Sequence, residues 1–427
     1  MKKAIDELIK SNIKTREELM MKKRNLAKKH RIKILLNSEI LEEYKDLVLK
    51  GKIERQPTLE RVLRKRSVRT LSGIAPVAVL TAVFSCPGKC VYCPTEKGVP
   101  KSYLSNEPAV MRAIRCEFDP YRQVQMRLKA LEANGHEPNK IELIVIGGTW
   151  SVLPEKYKYW YIGRCFVAAN EFSNKVKSEK FKVKSYHRLS RDPAPKYNFK
   201  WRDSSKLKVE RLKTILNKEQ KQNEKTKYRI IGITLETRPD YINEQELRQM
   251  RELGCTRVEL GVQAIDDKIL KLNKRGHGVT EIAEATRLLK DFGFKVTYHI
   301  MPGLPGATAA RDAKMYKKLF SDERFQPDQI KFYPTVVTKG SLLYKWWQSG
   351  KYKPYRDEVL WDLIIKCKAA TPPYVRIIRL IRDIPSESII AGNRVTNLRQ
   401  VMKQKGVTCA CIRCREAREL KVKYEKL

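Results

Sequence analysis

The chain has 427 residues, long enough for one large barrel-type domain or two to three average ones, and 42% of them are apolar, enough for a sizeable core. Lys and Arg number 89 against 48 Asp and Glu, a net charge of +41, and the excess is uneven: residues 1–70 hold 21 basic and 10 acidic side chains, residues 171–230 hold 19 and 7. Such surfaces suit a polyanion, and six of the ten cysteines sit in two tight clusters, which favours metal over a secreted disulfide scaffold and points to a reducing compartment.

Residues 1–72 read as a basic helical extension, with Lys22-Lys23-Arg24 and Arg64-Lys65-Arg66 followed by Arg69. No apolar run of leader or membrane-span length follows the Met-Lys-Lys start, so the expectation is a soluble cytoplasmic protein with no membrane partner. From Gly73 the character changes. Apolar runs of strand length occur at 76–84, 141–146, 230–235, 257–260, 294–300 and 329–333, as for strands covered on both faces. Helical spacing fills 121–134, 244–253 and 280–292, the last with Thr280 as N-cap and Gly293 as C-cap. Six strands alternating with helices predict an α/β fold with a parallel sheet. Six units are too few to close an eight-stranded barrel, so a partial (β/α)6 barrel over residues 73–340 is expected, its site at the carboxyl ends of the strands. Residues 172–226 read as a charged surface insertion, and residues 341–427 as a C-terminal extension with a small Cys-rich element.

After the first strand comes Cys86-Pro-Gly-Lys-Cys90-Val-Tyr-Cys93, spacing C-x3-C-x2-C. Three thiolates this close need a soft cation: zinc, copper(I) or an iron–sulfur cluster. Structural zinc wants a fourth ligand, and none follows within twenty residues, the next cysteine being Cys116. Three ligands on a four-iron cluster leave one iron open for substrate. The second group, Cys409-Ala-Cys411-Ile-Arg-Cys414, fits zinc with a fourth ligand from elsewhere. Cys116, Cys165, Cys255 and Cys367 are isolated and read as buried thiols.

The first motif resembles that of the radical S-adenosylmethionine superfamily, which implies a [4Fe–4S] cluster on Cys86, Cys90 and Cys93, and S-adenosylmethionine beside Gly147-Gly148-Thr149 at the end of the second strand. Further strings narrow the likeness: Ser102 to Ala113, Asp119-Pro120-Tyr121, Glu236-Thr-Arg-Pro-Asp240, Arg257 to Gln263, Arg275-Gly-His277, His299 to Pro305 and Lys331-Phe-Tyr-Pro-Thr335. Together, from about Arg69 to about Glu416, they are similar to the catalytic subunit of Elongator and its single-chain archaeal and bacterial relatives. That resemblance implies modification of the wobble uridine of tRNA, a 5′-deoxyadenosyl radical activating the acetyl group of acetyl-CoA for addition to uracil C5. Glu236, Glu259 and Gln263 are then candidates to hold the cofactor, Arg238 to hold a carboxylate, and Lys140 to touch acetyl-CoA.

The family's acetyltransferase-like domain carries a phosphate-binding turn that is not found in these 427 residues, so the chain is expected to be a truncation or a radical-only variant. A tRNA-binding scaffold without full turnover is the alternative reading. The resemblance also implies tRNA contact by the N-terminal segment, with Arg64, Lys65, Arg66 and Arg69 near the cluster mouth. Two further basic candidates are the stretch from Lys345 to Lys353, which interleaves Trp346 and Trp347 with Lys351 and Lys353, and Arg376, Arg379 and Arg382, which recur every three residues as one stripe. Other Elongator-type subunits or a second copy of the chain are further candidate partners.

Overall fold

Continuous apolar strands cannot leave either face wet, and the chain resolves this by wrapping one curled parallel sheet in helices. The computed structural model describes residues 1–65, 70, 72–175, 207–395, 397–404 and 406–416. The expected six strands are present as β1 (Ala75–Leu80), β2 (Lys140–Ile146), β3 (Arg229–Thr237), β4 (Cys255–Gln263), β5 (Lys295–Ile300) and β6 (Gln329–Phe332), all parallel and paired in chain order. A seventh, β8 (Arg376–Arg379), continues the sheet beside β6, while β7 (Val337–Thr338) and β9 (Ile389–Ala391) form a separate antiparallel pair. The sheet therefore extends beyond residue 340. The seventh strand escaped the sequence reading because Arg376-Ile-Ile-Arg379 offers only two apolar residues, too few to register as a run.

Among the outer helices, α5 (Pro108–Arg115), α6 (Pro120–Ala133), α7 (Glu155–Lys175), α9 (Glu244–Glu252), α11 (Val279–Asp291) and α12 (Ala309–Ser321) bury apolar faces against the strands, and α8 (Val209–Asn223) packs along α7 through Leu212 and Leu216. Both flanks of the expected 172–226 insertion thus belong to regular helices, and its centre lies outside the described residues. Helix α11 starts two residues earlier than its sequence suggests. Gly278 is the N-cap, its N–H donating to Glu281 Oε2 at 2.8 Å, and Thr280 already lies inside. The core runs through Val77, Val79, Leu143, Val145, Leu235, Val258, Leu260, Val296, Tyr298 and Ile330, all at most 2% exposed.

The first 63 residues form α1 (Lys2–Ile9), α2 (Arg16–Lys29), α3 (Asn37–Leu49) and α4 (Pro57–Leu63), closed on their own core of Ala4, Leu8, Leu26, Ile40, Tyr44 and Leu63. Not all of their charge is surface: Lys23 is buried and donates to Asn37 Oδ1. The bundle docks on the turn between α6 and β2, where Arg64 Nε donates to the Gly135 carbonyl at 3.0 Å and the Lys65 N–H to that of Asn134. That turn is at the amino end of the sheet. Arg64 and Lys65 are therefore not beside the cysteines: residues just ahead of a strand enter at its amino end, and the cysteine loop leaves at the other. Arg66 and Arg69 lie outside the described residues. After β6 come α13 (Leu342–Gln348), α14 (Asp357–Ala369) and α15 (Leu398–Gln404), with α10 (Asp267–Leu272) earlier in the loop after β4. No described helix is long and apolar enough to cross a membrane.

Candidate active site

From Thr81 to Glu107 the chain has no helix or strand, and it carries Cys86, Cys90 and Cys93 over the carboxyl end of the sheet. Backbone contacts pin this loop. Val91 N–H donates to the Asn273 carbonyl (3.2 Å), Leu343 N–H to that of Val91 (2.8 Å), and Thr95 N–H to that of Gly340 (3.1 Å). The Lys101 ammonium donates to the Gly88 carbonyl at 2.5 Å.

Two arginines lie under the loop. Arg275, 4% exposed, donates from Nη1 to Cys90 Sγ at 3.1 Å and from Nη2 to the Gly261 carbonyl. Arg238 forks onto Asp240 through Nε (2.9 Å) and Nη2 (2.7 Å) and reaches the Arg275 carbonyl (2.5 Å), while His277 Nδ1 stands 3.3 Å from the same aspartate. Burial raises the pKa of Asp240, but His277 and Arg238 outweigh it and hold the carboxyl below its ordinary value. At Cys90 the hydrogen bond with Cys93 favours the thiolate, and with Arg275 it outweighs burial; Cys93 is correspondingly pushed up. Glycine at position 88 leaves the room in which the loop closes on Arg238. A Cβ there would lie 2.6 Å from Arg238 Nη1, 3.4 Å from Cys90 Sγ and 3.6 Å from Cys86 Sγ.

Across the cysteines stands the end of β2. Gly147 has φ +138°, and a Cβ on it would meet Thr81 Oγ1 at 2.0 Å, so only glycine lets the exits of β1 and β2 lie together. Thr149 Oγ1 is 4.0 Å from Cys86 Sγ. Gln263, at the end of β4 with φ +69°, is buried, and its Oε1 has no hydrogen-bond partner among the described residues. Glu236 accepts from Tyr103 Oη at 3.2 Å. Glu259, 2% exposed, is engaged by His299 Nε2 at 2.9 Å and by the Lys331 ammonium. His299 stands between two carboxylates, with Nδ1 3.6 Å from Glu236. Lys140 opens β2 and is exposed at the opposite end of a seven-residue strand, about 20 Å from the cysteines at the usual rise per residue.

The donor set separates two kinds of metal site. Among the described residues, Cys409, Cys411 and Cys414 form the only three-ligand group whose ligand atoms all lie within 4.8 Å of one another. That is the spacing of a single ion with Zn–S bonds of about 2.3 Å. Cys86, Cys90 and Cys93 do not meet that spacing as a trio, although Cys90 and Cys93 are hydrogen-bonded to one another. Arg238 Nη1, a buried donor without a partner among the described residues, lies beside Gly88 between Cys86 and Cys90, and Arg275 Nη1 reaches Cys90. The residues present therefore fit an anionic iron–sulfur cluster. At the second group the Lys368 ammonium and Arg399 Nη1 each lie 3.9 Å from Cys414 Sγ, and the Ile412 N–H ties it to Val375 ahead of β8. The four isolated cysteines are buried.

The basic candidates separate. Arg376 pairs with Glu416 and Arg379 with Asp383 at 2.5 Å, while Arg382 donates to Ser102 Oγ (2.8 Å) and Glu107 (3.2 Å) and covers the Tyr103 ring. A three-residue repeat makes a stripe on a helix, but Arg376 and Arg379 sit on a strand whose register shifts between them, opposite Gln329 and Lys331 of β6, and Arg382 lies beyond its end. Lys351 and Lys353 are exposed and line a cleft of about 450 Å³ with Trp346, Tyr352, Tyr355 and the Gly303–Ala307 loop after β5. Trp347 stacks on Tyr344 at 6.0 Å, packed against the core. Sequence reasoning assigned no role to Arg275, Asp240, Tyr103 or Lys331, although each lies in a motif it had singled out.

The model of the Radical SAM superfamily matches residues 203–319, and that of the Radical_SAM C-terminal domain matches 327–405. The chain is 42% identical over 390 residues to the tRNA uridine(34) acetyltransferase of Methanocaldococcus infernus, covering 89% of this chain and 64% of that protein. It is 40% identical over 424 residues to the protein of the same name from Methanocaldococcus jannaschii, covering 96% and 70%. The solved structure of the archaeal Methanocaldococcus infernus Elp3 with its N-terminus deleted superposes with a TM-score of 0.61 at 38% identity, covering 80% of this chain and 66% of that one. The chain thus spans roughly two-thirds of the length of these relatives. A parallel sheet with three cysteines at its carboxyl end, and ordered identity along nearly the whole sequence, lead to one conclusion: the chain belongs to the radical S-adenosylmethionine family of the tRNA uridine(34) acetyltransferases and the Elongator catalytic subunit.

Proposed function

We propose that this chain is the radical-generating part of a tRNA wobble-uridine modifying enzyme, with tRNA and acetyl-CoA as its substrates. The observation that carries the reading is the loop after β1, where three thiols converge over buried guanidinium groups at the carboxyl end of a parallel sheet. When bound there by Cys86, Cys90 and Cys93, a [4Fe–4S] cluster supplies one-electron cleavage of S-adenosylmethionine to a 5′-deoxyadenosyl radical. The chain's own residues then position and exclude. The Gly147–Gly148 turn offers bare backbone beside Cys86 for the methionine end of the cofactor, with Thr149 next to it. Gln263 Oε1 is a buried acceptor awaiting a donor and suits an adenine or ribose N–H or O–H group. Glu236 keeps a partly exposed carboxylate at the rim, oriented by Tyr103. Arg238 spends two of its donors on Asp240, so it supports the cysteine loop and has only Nη1 left for a ligand.

Glu259 is assigned a different part: already paired on both sides, it holds β4, β5 and β6 in register under the site. Lys140 is assigned to a surface away from the radical, so an acetyl group activated at the cysteine end has to be presented there by other contacts. Zinc on Cys409, Cys411 and Cys414 would brace the end of the seventh strand. Lys351 and Lys353 beside Trp346 form a basic, aromatic rim joined to the cysteine loop by Asn273, whose Nδ2 donates to the Pro305 carbonyl at 3.0 Å while its own carbonyl accepts from Val91. The test is anaerobic reconstitution with iron and sulfide. Four irons per chain and 5′-deoxyadenosine formed with reductant, tRNA and acetyl-CoA are expected, both lost in Cys90→Ala. Tight tRNA binding with iron bound but no 5′-deoxyadenosine would favour the scaffold reading instead.

A further inference from the structure

Arg275 is a buried cation with no carboxylate. Its Nη2 is taken by the Gly261 carbonyl, its Nε has no partner among the described residues, and its Nη1 points at Cys90 Sγ at 3.1 Å. It is 4% exposed, and among the described residues no acidic oxygen lies within ion-pair distance of it. A buried, unpaired guanidinium is costly enough that a fold retains it only against an anion. The anionic groups in reach are the cysteine sulfurs. Arg238 repeats the pattern from behind: its charge is shared with Asp240, but Nη1 is buried, unpartnered, and aimed at the point between Cys86 and Cys90 where Gly88 leaves room.

We propose that Arg275, seconded by Arg238, is the built-in counter-charge of the iron–sulfur cluster and sets its reduction potential. This rests on the cluster reading above. Taking up one electron from a low-potential donor adds a negative charge to a cluster already made anionic by three thiolates. A fixed cation and an N–H···S hydrogen bond stabilise that reduced form more than the oxidised one and raise the potential. A guanidinium suits the task because it stays protonated in any environment and donates to sulfur and backbone from one plane. Neither arginine takes part in a bond-making step. They act on the population of the reduced cluster available for turnover, and the carboxylate-free placement of Arg275 makes it the stronger of the two.

The experiment is a potentiometric titration of the reconstituted full chain without S-adenosylmethionine, following the electron-spin-resonance signal of the reduced cluster. Arg275→Gln, which keeps a hydrogen-bond donor but drops the charge, is expected to bind four irons and to show a reduced-to-oxidised ratio at fixed potential at least tenfold lower. That corresponds to about 59 mV for a one-electron couple. Arg275→Lys, which restores the charge, is expected to recover at least half of the shift. An unchanged midpoint in Arg275→Gln with the full iron complement overturns the proposal, as does an Arg275→Lys midpoint equal to that of Arg275→Gln. Should Arg275→Gln not hold iron, Arg238→Gln decides: a lowered midpoint supports the counter-charge and a native one overturns it. A wild-type chain that takes up no iron would overturn the cluster reading itself, whereas a wild-type cluster with insensitive variants overturns only the role of the arginines.

Discussion

Glu259→Gln separates two roles for one carboxylate. The resemblance that led to it makes Glu259 a cofactor-holding group, whereas its contacts make it a brace: 2% exposed, 2.9 Å from His299 Nε2 and paired with the buried Lys331 ammonium. Glutamine keeps the shape and removes the charge, leaving Lys331 with no carboxylate in contact. Removing one partner of a buried pair costs about 3–5 kcal/mol, about two to three and a half decades in the folding equilibrium at about 1.4 kcal/mol per decade. Burial alone would raise the pKa of Glu259, but Lys331 and His299 outweigh it and hold the carboxyl below its ordinary range. A depressed carboxylate contributes stability that is present above its unfolded pKa, near 4.3, and is lost as pH falls through the folded one. The gap between wild type and variant is therefore expected in full at pH 7 and to narrow below about pH 4. Urea denaturation of the apo chain reads the stability, and calorimetric titration of the reconstituted chain with S-adenosylmethionine reads the affinity for the cofactor. Adding Lys331→Met to the variant should recover most of the lost stability. A Glu259→Gln chain within about 1 kcal/mol of wild type but with affinity for the cofactor cut tenfold would refute the brace.

Gly147→Ala is expected to keep four irons yet lose S-adenosylmethionine binding at least tenfold, because its Cβ would need the space of Thr81 Oγ1, 2.0 Å away, in a backbone at φ +138°; calorimetry on the reconstituted chain checks it. Cys411→Ser is expected to remove one equivalent of zinc, counted by elemental analysis, without changing the iron count, since the second cysteine group hangs on α14 and β8 and not on the loop after β1. Asp312 is buried beneath the cleft after β5, and burial pushes its carboxyl up to about 6 although Gly303 N–H and Tyr355 Oη donate to it. A raised carboxylate binds more protons folded than unfolded between about pH 4 and 6, so it lowers stability as pH rises through that window; Asp312→Asn should remove that part of the slope in urea denaturation, and an unchanged slope would count against it.

The frame was legible because apolar runs bounded by glycine and polar residues are what a doubly covered sheet requires, and all six runs are strands. The cysteine loop was legible for a local reason: its three ligands lie within eight residues. What could not be read was whatever depends on partners distant in sequence. Arg275 meets Cys90 across 185 positions and Lys331 meets Glu259 across 72, and nothing in the local pattern around either basic residue marks it as buried. The same holds for Arg382, which reads as a surface base and is spent on Ser102 and Glu107 some 280 positions earlier. Position along a strand was the other blind spot. Lys140 and Gly147 are neighbours in sequence, but a strand puts them at opposite ends of the sheet.

That separation of ends bears on the substrate. The N-terminal bundle is fastened to the amino end through Arg64, Lys65 and Lys45, which meet Gly135, Asn134 and Glu132, while the cysteines and the Lys351–Lys353 rim occupy the carboxyl end about 20 Å away. A mononucleotide cannot touch both. A polyanion that does so spans the depth of the sheet, at least about six base pairs of duplex at roughly 3.4 Å each, with an unpaired loop left to enter the site. On the proposed function, full-length tRNA engages both basic surfaces and an isolated anticodon-loop oligonucleotide only one. Because each neutralised phosphate adds about 0.9 to the slope of log affinity against log salt on duplex, full-length tRNA should show a slope steeper by about 2 or more. Lys351→Glu with Lys353→Glu should flatten the slope for both ligands, since both use the rim. Replacing Lys65 and neighbouring exposed bases of the bundle by Glu should flatten it for tRNA alone. Equal slopes for tRNA and the loop oligonucleotide, measured by filter binding across a salt series, would mean that the bundle does not touch RNA and that its charge serves another purpose.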